Sequence, residues 1–352
     1  MSCCRSDKDL NASLYKDKAR ENFEKKWKLI LRDTAKLSDF EIIRTIGVGA
    51  FGRVLCVKNL KNQKYYALKA LKKEKIVRLE QVQRVHYEKR ILQSVVSPFL
   101  VDLRFVFKTN SYLFLVMPMI RGGEIYSYLK TLRHFSEHQT RFYSAQIILA
   151  FQYLHSLNVV YRDLKPENVL LECDGYIKII DYGFAKRLEG DKTTSFVGTP
   201  EYMAPEMLIK TRRAEGYSCS VDWWTLGIFV YECITGEPPF AGASLLQLFD
   251  SIVKKRYRPS AEIGPNVIDL IDNLLQVDVA ERLGCKGKGS EELKKHVFFA
   301  GLNWHALYEK KITPEFVPPC QGDDFTKNFE RFEELPFHET EVEEFVDEFK
   351  EF

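Results

Sequence analysis

The apolar positions divide the chain into two stretches of different rhythm. From Phe40 to Leu71, Ile, Val, Tyr and Leu alternate with polar residues, broken by glycines and by Asn62-Gln63, which predicts strands joined by tight turns. Val82 to Val95 carries a helical period, and strand-like segments return at Val101 to Phe107 and Tyr112 to Met117. After Arg121-Gly122-Gly123 the period lengthens, with helical runs at Gln139 to Ser156 and Val221 to Thr235. A strand-rich part followed by a helix-rich part predicts two lobes with a cleft between them. Ahead of both, Leu14, Ala19, Phe23, Trp27 and Ile30 fall at helical spacing between Asn11 and about Leu31. This predicts an amphipathic helix resting on the body, anchored by Trp27 because that side chain has the most area to bury. From Trp304 onward, Pro314, Pro318, Pro319 and Pro336 and phenylalanines among acids predict a tail laid over the folded body. The expected boundaries are 1–39 for the N-terminal segment, 40–120 and 121–299 for the two lobes, and 300–352 for the tail.

Composition narrows this picture only a little. A chain of 352 residues exceeds one ordinary domain, and 45% hydrophobic against 29% charged residues fits a globular protein, not a disordered one. The net charge of +3 is too small to imply nucleic-acid binding, so electrostatic arguments must be local. Eight cysteines, at positions 3, 4, 56, 173, 219, 233, 285 and 320, form no C-x-x-C pair. That argues against a zinc site or disulfide scaffold and suits a reducing, cytoplasmic or nuclear setting. No apolar run approaches the ~20 residues of a membrane span. The opening MSCCRSDKDL has no apolar core, so no signal peptide is expected. Ser2 precludes myristoylation at that position; Cys3 and Cys4 near Arg5 are candidates for acylation, although unmodified cysteines are the expectation.

The polar interruptions carry the chemistry. Gly47-Val48-Gly49-Ala50-Phe51-Gly52-Arg53-Val54 gives G-x-G-x-x-G-x-V, a spacing shared with dinucleotide-binding folds and with hairpins that bind nothing. Its position between strand-like segments favours a hairpin over phosphates. Lys69 of Ala67-Leu68-Lys69 follows Val54 by fifteen residues and is a candidate for phosphate pairing, with Glu88 as its ion-pair partner. Val160 to Leu170 sets Asp163 and Asn168 five residues apart, Tyr161-Arg162-Asp163-Leu164 standing for H-R-D-L. Phosphoryl transfer needs a carboxylate to take the hydroxyl proton, a cation on the moving group and oxygen ligands for Mg²⁺. Asp163, Lys165 and Asn168 fit those roles in turn. Asp181-Tyr182-Gly183 follows Asn168 by thirteen residues, with Asp181 as principal metal ligand. Glu206 is expected to pair with Arg282, and Asp222 to brace the loop around Asp163.

Six such motifs in this order make the chain similar to the AGC family of serine/threonine protein kinases. It most resembles the cAMP-dependent branch, through Lys16 to Lys28 (KDKARENFEKKWK), Tyr161-Arg162-Asp163 and Phe349-Lys350-Glu351-Phe352. The resemblance implies an α+β, bilobal protein-kinase fold: a small antiparallel β-sheet lobe with one key helix, a larger mainly helical lobe and ATP in the cleft. It implies an ATP site of Ile46, the loop Gly47 to Val54, Ala67, Lys69, Met117 as gatekeeper, the hinge groups of Pro118 and Ile120, Glu124, Glu167, Asn168, Leu170, Asp181 and the tail's Phe329. Two Mg²⁺ ions would sit on Asn168 and Asp181. Glu124, Glu167 and Glu232 match acids that read arginines, implying Arg-Arg-x-Ser/Thr substrates whose next, apolar residue meets Phe196, Pro200 and Met203. Ser195, with Thr194 or Thr193 as alternatives, stands at the activation phosphosite, where a phosphate would gather Arg162, Lys186 and Arg84. Phe332 and Thr194 stand where the family has tyrosine and tryptophan. The implied partners are basic protein substrates, a cAMP-binding regulatory subunit with a pseudosubstrate segment, and peptides like the heat-stable inhibitor; no nucleic acid is implied. Two readings compete. Retention of Lys69, Glu88, Asp163, Asn168 and Asp181 argues against a non-catalytic scaffold. The missing cyclic-nucleotide-binding region and terminal Phe352 argue against a cGMP-dependent-like kinase.

Overall fold

The computed structural model describes residues 18–257, 263–322 and 324–352. Cys3, Cys4 and residues 11–17 of the expected first helix lie outside the described residues. The chain divides into two compact units, one of residues 1–119 with 330–352 and one of residues 120–329. The second half of the tail thus returns to the first unit.

The first unit opens with helix α1 (18–27). Its anchor is Phe23, not Trp27: Phe23 is fully buried, while Trp27 is half-buried, stacked on Phe23 at 5.4 Å and under Arg90. Ring area favours Trp27, but only Phe23 points squarely inward. Ile30 lies beyond the helix and is exposed. Five antiparallel strands follow in the order β1-β2-β3-β5-β4: β1 Phe40–Val48, β2 Gly52–Asn59, β3 Tyr65–Lys72, β4 Phe105–Lys108 and β5 Tyr112–Pro118. Two helices, α2 (Lys73–Arg78) and α3 (Val82–Ser94), interrupt them after β3. β4 begins four residues later than the apolar pattern suggests. Residues 101–104 before it run irregularly, with Leu103 N–H donating to Leu92 O and Arg104 N–H to Val116 O.

Alternation in β3 explains the position of Lys69. Tyr66, Leu68 and Ala70 face a core shared with Phe40, Leu55, Val57, Phe107, Phe114 and Val116, so Lys69 faces the other way. The β1–β2 hairpin is pinned by a 2.8 Å bond from Gly49 N–H to Gly52 O. A Cβ on Gly52 would lie 1.8 Å from Ala70 O, so only glycine permits this approach to β3.

Residues 330–352 cover this unit side chain by side chain. Glu334 accepts from Thr45 N–H and its hydroxyl at 2.5 and 2.8 Å, and Phe337 packs on Tyr112 beneath Arg53. Farther on, the buried Lys73 ammonium meets Glu343 at 3.1 Å, and Phe349 and Phe352 are buried beside α3. Lys89 of α3 donates to Glu351 O at 2.8 Å, with its ammonium 4.9 Å from the Phe352 ring centroid.

The second unit is mainly helical. Its elements include α4 (Ile125–Leu132), α5 (Glu137–Ser156), β6 (Val159–Val160), β7 (Val169–Leu171), β8 (Ile177–Ile179), β9 (Lys186–Arg187), α6 (Pro205–Leu208), α7 (Lys210–Glu215), α8 (Ser220–Thr235), α9 (Leu245–Val253), α10 (Pro265–Leu274), α11 (Ser290–Lys294) and α12 (Trp304–Tyr308). A capping box, Ser136 with Gln139, starts α5. α8 is buried along most of its length, including Trp223, Trp224 and Phe229, and forms the unit's axis. Small antiparallel pairs, β6 with β9 and β7 with β8, frame the loop from Tyr161 to Asn168. Glu206 and the fully buried Arg282 join through two bonds of 2.6 and 2.9 Å, the pairing expected from sequence.

Candidate active site

In the first unit, Lys69 and Glu88 form an ion pair of 2.5 Å, placed by the strand register and by the inward face of α3. Around them lie the other residues assigned to nucleotide binding. Ile46 and Gly47 end β1, and Arg53 and Val54 begin β2, where Val54 pairs directly with Lys69. Ala67 lies opposite Met117, which is almost fully buried, and Pro118 closes β5. Val48, at the hairpin tip, is 65% exposed.

In the second unit, the loop carrying Asp163 is held from beneath. The buried Asp222 carboxylate accepts from Tyr161 N–H at 2.9 Å and Arg162 N–H at 2.8 Å, and also bonds His155 at 2.7 Å. These bonds stabilise Arg162 at φ 69°, an unfavourable backbone angle for a side chain of its size. Tyr161 donates to Ile180 O at 2.5 Å, tying the loop to the residue before Asp181.

Above this floor, Asp163 is buried and carries three partners. Asn168 Nδ2 and the Thr199 hydroxyl donate to its two oxygens at 2.8 and 2.9 Å, and Lys165 Nζ stands 3.6 Å away. Lys165 also donates to Thr199 at 2.9 Å. Burial pushes the Asp163 pKa above the usual carboxylate range, and the charge of Asp181 adds to this; Lys165, Thr199 and Asn168 oppose it. Asp181, at φ 57°, accepts from Gly183 N–H at 2.9 Å. Asp163 and Asp181 therefore feel one another's charge, while Asn168 uses its amide nitrogen on Asp163 and leaves its amide oxygen for other ligands. Tyr182 is wholly buried and meets the Tyr161 ring edge-on. Thr199 received no role from the sequence; its hydroxyl links Asp163 and Lys165.

A second group of acids gathers around Glu232 of α8. Burial raises the Glu232 pKa to about 7 despite the hydrogen bond it accepts from the Tyr202 hydroxyl, and the charges of Glu167 and Glu201 push the same way. Glu167 Oε2 is buried with no hydrogen-bond partner among the described residues. Glu201 is a further acid that sequence reasoning passed over, though it directly precedes Tyr202. Glu124 lies at the start of α4 and bridges to Leu170. Ile120 is buried, and Phe329 is half-buried with its N–H on Thr326 O. Phe196 is 52% exposed, Pro200 begins a short turn, and Met203 is buried with its Cγ against Gly198.

Around Ser195, Tyr217 accepts from Arg162 at 2.9 Å and donates to Ser195 O at 2.7 Å. The Ser195 hydroxyl shares a 3.0 Å bond with buried Thr193, which accepts from Lys186 at 3.3 Å; Thr194 is exposed. Among the described residues no three His, Cys, Asp or Glu side chains gather as a metal cage, and no helix is long and apolar enough to cross a membrane.

Comparison with known proteins follows the same lines. The protein kinase domain family matches residues 40–299. The chain is 38% identical to cAMP-dependent protein kinase catalytic subunit 2 of Drosophila melanogaster, over 93% of this chain and 92% of that one. It is 40% identical to the cAMP-dependent protein kinase catalytic subunit-like protein of Caenorhabditis elegans, over 86% of this chain and 75% of the other. It is also 40% identical to cAMP-dependent protein kinase type 3 of Saccharomyces cerevisiae, over 89% and 79% of the two chains.

Proposed function

The chain belongs to the protein kinase family as a serine/threonine kinase of the cAMP-dependent catalytic-subunit type with the bilobal kinase fold, and from that premise we propose that it phosphorylates Ser or Thr downstream of paired arginines. The observation that supports the chemistry best is the Asp163 cluster. A carboxylate held by Thr199 and Asn168 is oriented to accept a substrate hydroxyl's proton, and Lys165 beside it offsets charge on the transferred group. The donor set suits a hard cation: Asp181 and the amide oxygen of Asn168 would hold Mg²⁺, and phosphate oxygens complete such a site without a third protein acid. When bound, Mg-ATP supplies the phosphoryl group and neutralises its charge. Lys69, oriented by Glu88, would pair with the ATP phosphates; Met117, Pro118, Ile120 and Phe329 would contact the base. In this reading Ser195 is the activating phosphosite, since its hydroxyl bonds Thr193, to which Lys186 also donates.

Substrate choice rests on the acids. Glu232 is buried among like charges, and Glu167 keeps a buried oxygen without a donor, an arrangement that gains most from an incoming guanidinium. The same acids would accept the pseudosubstrate segment of a cAMP-binding regulatory subunit, which makes cAMP a ligand of the partner and not of this chain. The test is a peptide array with Mg-ATP, in which arginine two and three positions before the acceptor is exchanged for alanine. Losses of ten-fold or more are expected; equal rates would reject the substrate reading and leave the kinase assignment standing. For the partner, a pull-down with and without cAMP should release one cAMP-binding protein.

A further inference from the structure

Beside the segment around Ser195 lies a group of cations outside the candidate active site. α7 reads Lys210-Thr211-Arg212-Arg213-Ala214-Glu215, with Lys210 and Arg212 exposed and Arg213 half-buried. The Arg213 guanidinium carbon lies 4.7 Å from the ring centroid of Phe196. Its hydrogen bond to Met207 O is a long one, 3.4 Å, while Arg212 reaches Val277 O at 3.0 Å. Lys192 joins the group from the activation segment, where Thr193 and Tyr217 form a bridge, and donates to Glu215 O at 3.4 Å. Gly216, at φ 84°, makes this approach tolerable, since a Cβ there would lie 2.9 Å from Lys192 Cβ.

None of these four cations forms an ion pair with a carboxylate among the described residues. The acids that flank them in sequence, Asp191 and Glu215, leave the patch net positive. A guanidinium lying over an aromatic face keeps its edge N–H groups available for a planar acceptor, and a carboxylate matches that fork. We propose that Arg213, with Lys192, Lys210 and Arg212 behind it, selects substrates that carry an acidic side chain shortly after the phosphorylated residue. The inference rests on the reading above, in which Phe196 meets the apolar residue that follows the acceptor. Arg213 lies against Phe196, so the residues that follow the apolar one would pass close to it. The preferred substrate is therefore bipolar: arginines before the acceptor for the acids around Glu232, an acid after it for this patch. Charge complementarity of this kind governs encounter and register more than bulk affinity.

The test compares peptides of fixed Arg-Arg-x-Ser-apolar sequence with Asp, Ala or Lys at the second to fourth positions after Ser. With the wild-type chain, Asp should lower KM by about three- to tenfold relative to Ala, with little change in kcat, and raising salt to ~0.5 M should erase most of the difference. R213E should invert the order, so that Lys becomes better than Asp; a purely structural contact with Phe196 would lower all rates without inverting them. K210E, at an exposed position, supplies a second reversal should R213E fold poorly. Equal KM values for Asp, Ala and Lys in the wild type would overturn the proposal, as would an Asp preference that survives both reversals. Indifference to the upstream arginines in the same array would instead defeat the substrate reading on which it rests.

Discussion

Asp163 and Glu232 are both buried carboxylates with raised pKa values, yet their surroundings prepare them for opposite tasks. Asp163 has a hydroxyl, an amide and an ammonium directed at it, which offset part of its desolvation. Glu232 has one phenol donor and two neighbouring acids. The first is supplied with donors in advance, so it stays orientated as its proton load changes. The second is left short of positive charge, which in the proposed reading an arginine of the substrate supplies. The proposed catalytic base is pre-organised, whereas the proposed specificity acid is kept frustrated.

The largest break in this contrast should come from Asp163→Ala. Turnover should fall by roughly 10²–10⁴-fold while ATP affinity, measured by nucleotide titration, stays near wild type. A mutant with undiminished turnover would remove Asp163 from catalysis.

Glu232→Gln should cost about 10- to 100-fold in kcat/KM for the arginine peptide and far less for the peptide with alanine there. An equal loss on both peptides would mean that Glu232 supports the fold and does not read sequence.

Thr199→Val sharpens the other side of the comparison. It strips a donor from Asp163 and a partner from Lys165, so kcat should drop about tenfold, and the acidic limb of the pH–rate profile should move upward because Asp163 loses a group that lowers its pKa. Thr199→Ser should restore both.

The smallest effect is one of pH. Because Glu232 titrates at about 7, kcat/KM for arginine peptides should climb through neutrality, and the Gln variant should lack that limb. Stability should move the other way. From the usual 4.5 up to about 7 the folded chain holds a proton that the unfolded chain has released, so unfolding free energy falls as pH rises across that window. The accumulated cost at pH 8 is of order 3 kcal/mol, and Glu232→Gln should recover much of it in denaturant titrations at pH 8 but none below pH 4.

What the sequence disclosed depended on how far apart the cooperating residues lie. Asp163, Lys165 and Asn168 fall within one short loop, so their spacing alone was enough to expect them side by side. Lys69 and Glu88 were legible because a strand period and a helix period each fix a direction. Thr199 and Glu201 were not, because their roles arise from a loop folding back across more than thirty residues to Asp163 and Glu232. Phe23 was misjudged against Trp27 for a related reason. Two aromatic residues four apart share a helix face, and the few tens of degrees separating full from partial burial are set by the surface they meet. The acid cluster was anticipated as a set of peptide contacts, but its unusual protonation needed Tyr202 and the flank of α8 to be placed.

The docking of residues 343–352 onto Lys73, His86 and Lys89 has a consequence for α3. The partners of His86 and Lys89 lie 262 residues away in sequence, so α3 is held by chain far removed from it. The rings of Phe349 and Phe352 fill one side of this helix, and the same helix carries Glu88. Its rigidity is therefore a non-local property: loss of those two rings leaves a void beside α3 and loosens the support of the Lys69–Glu88 pair.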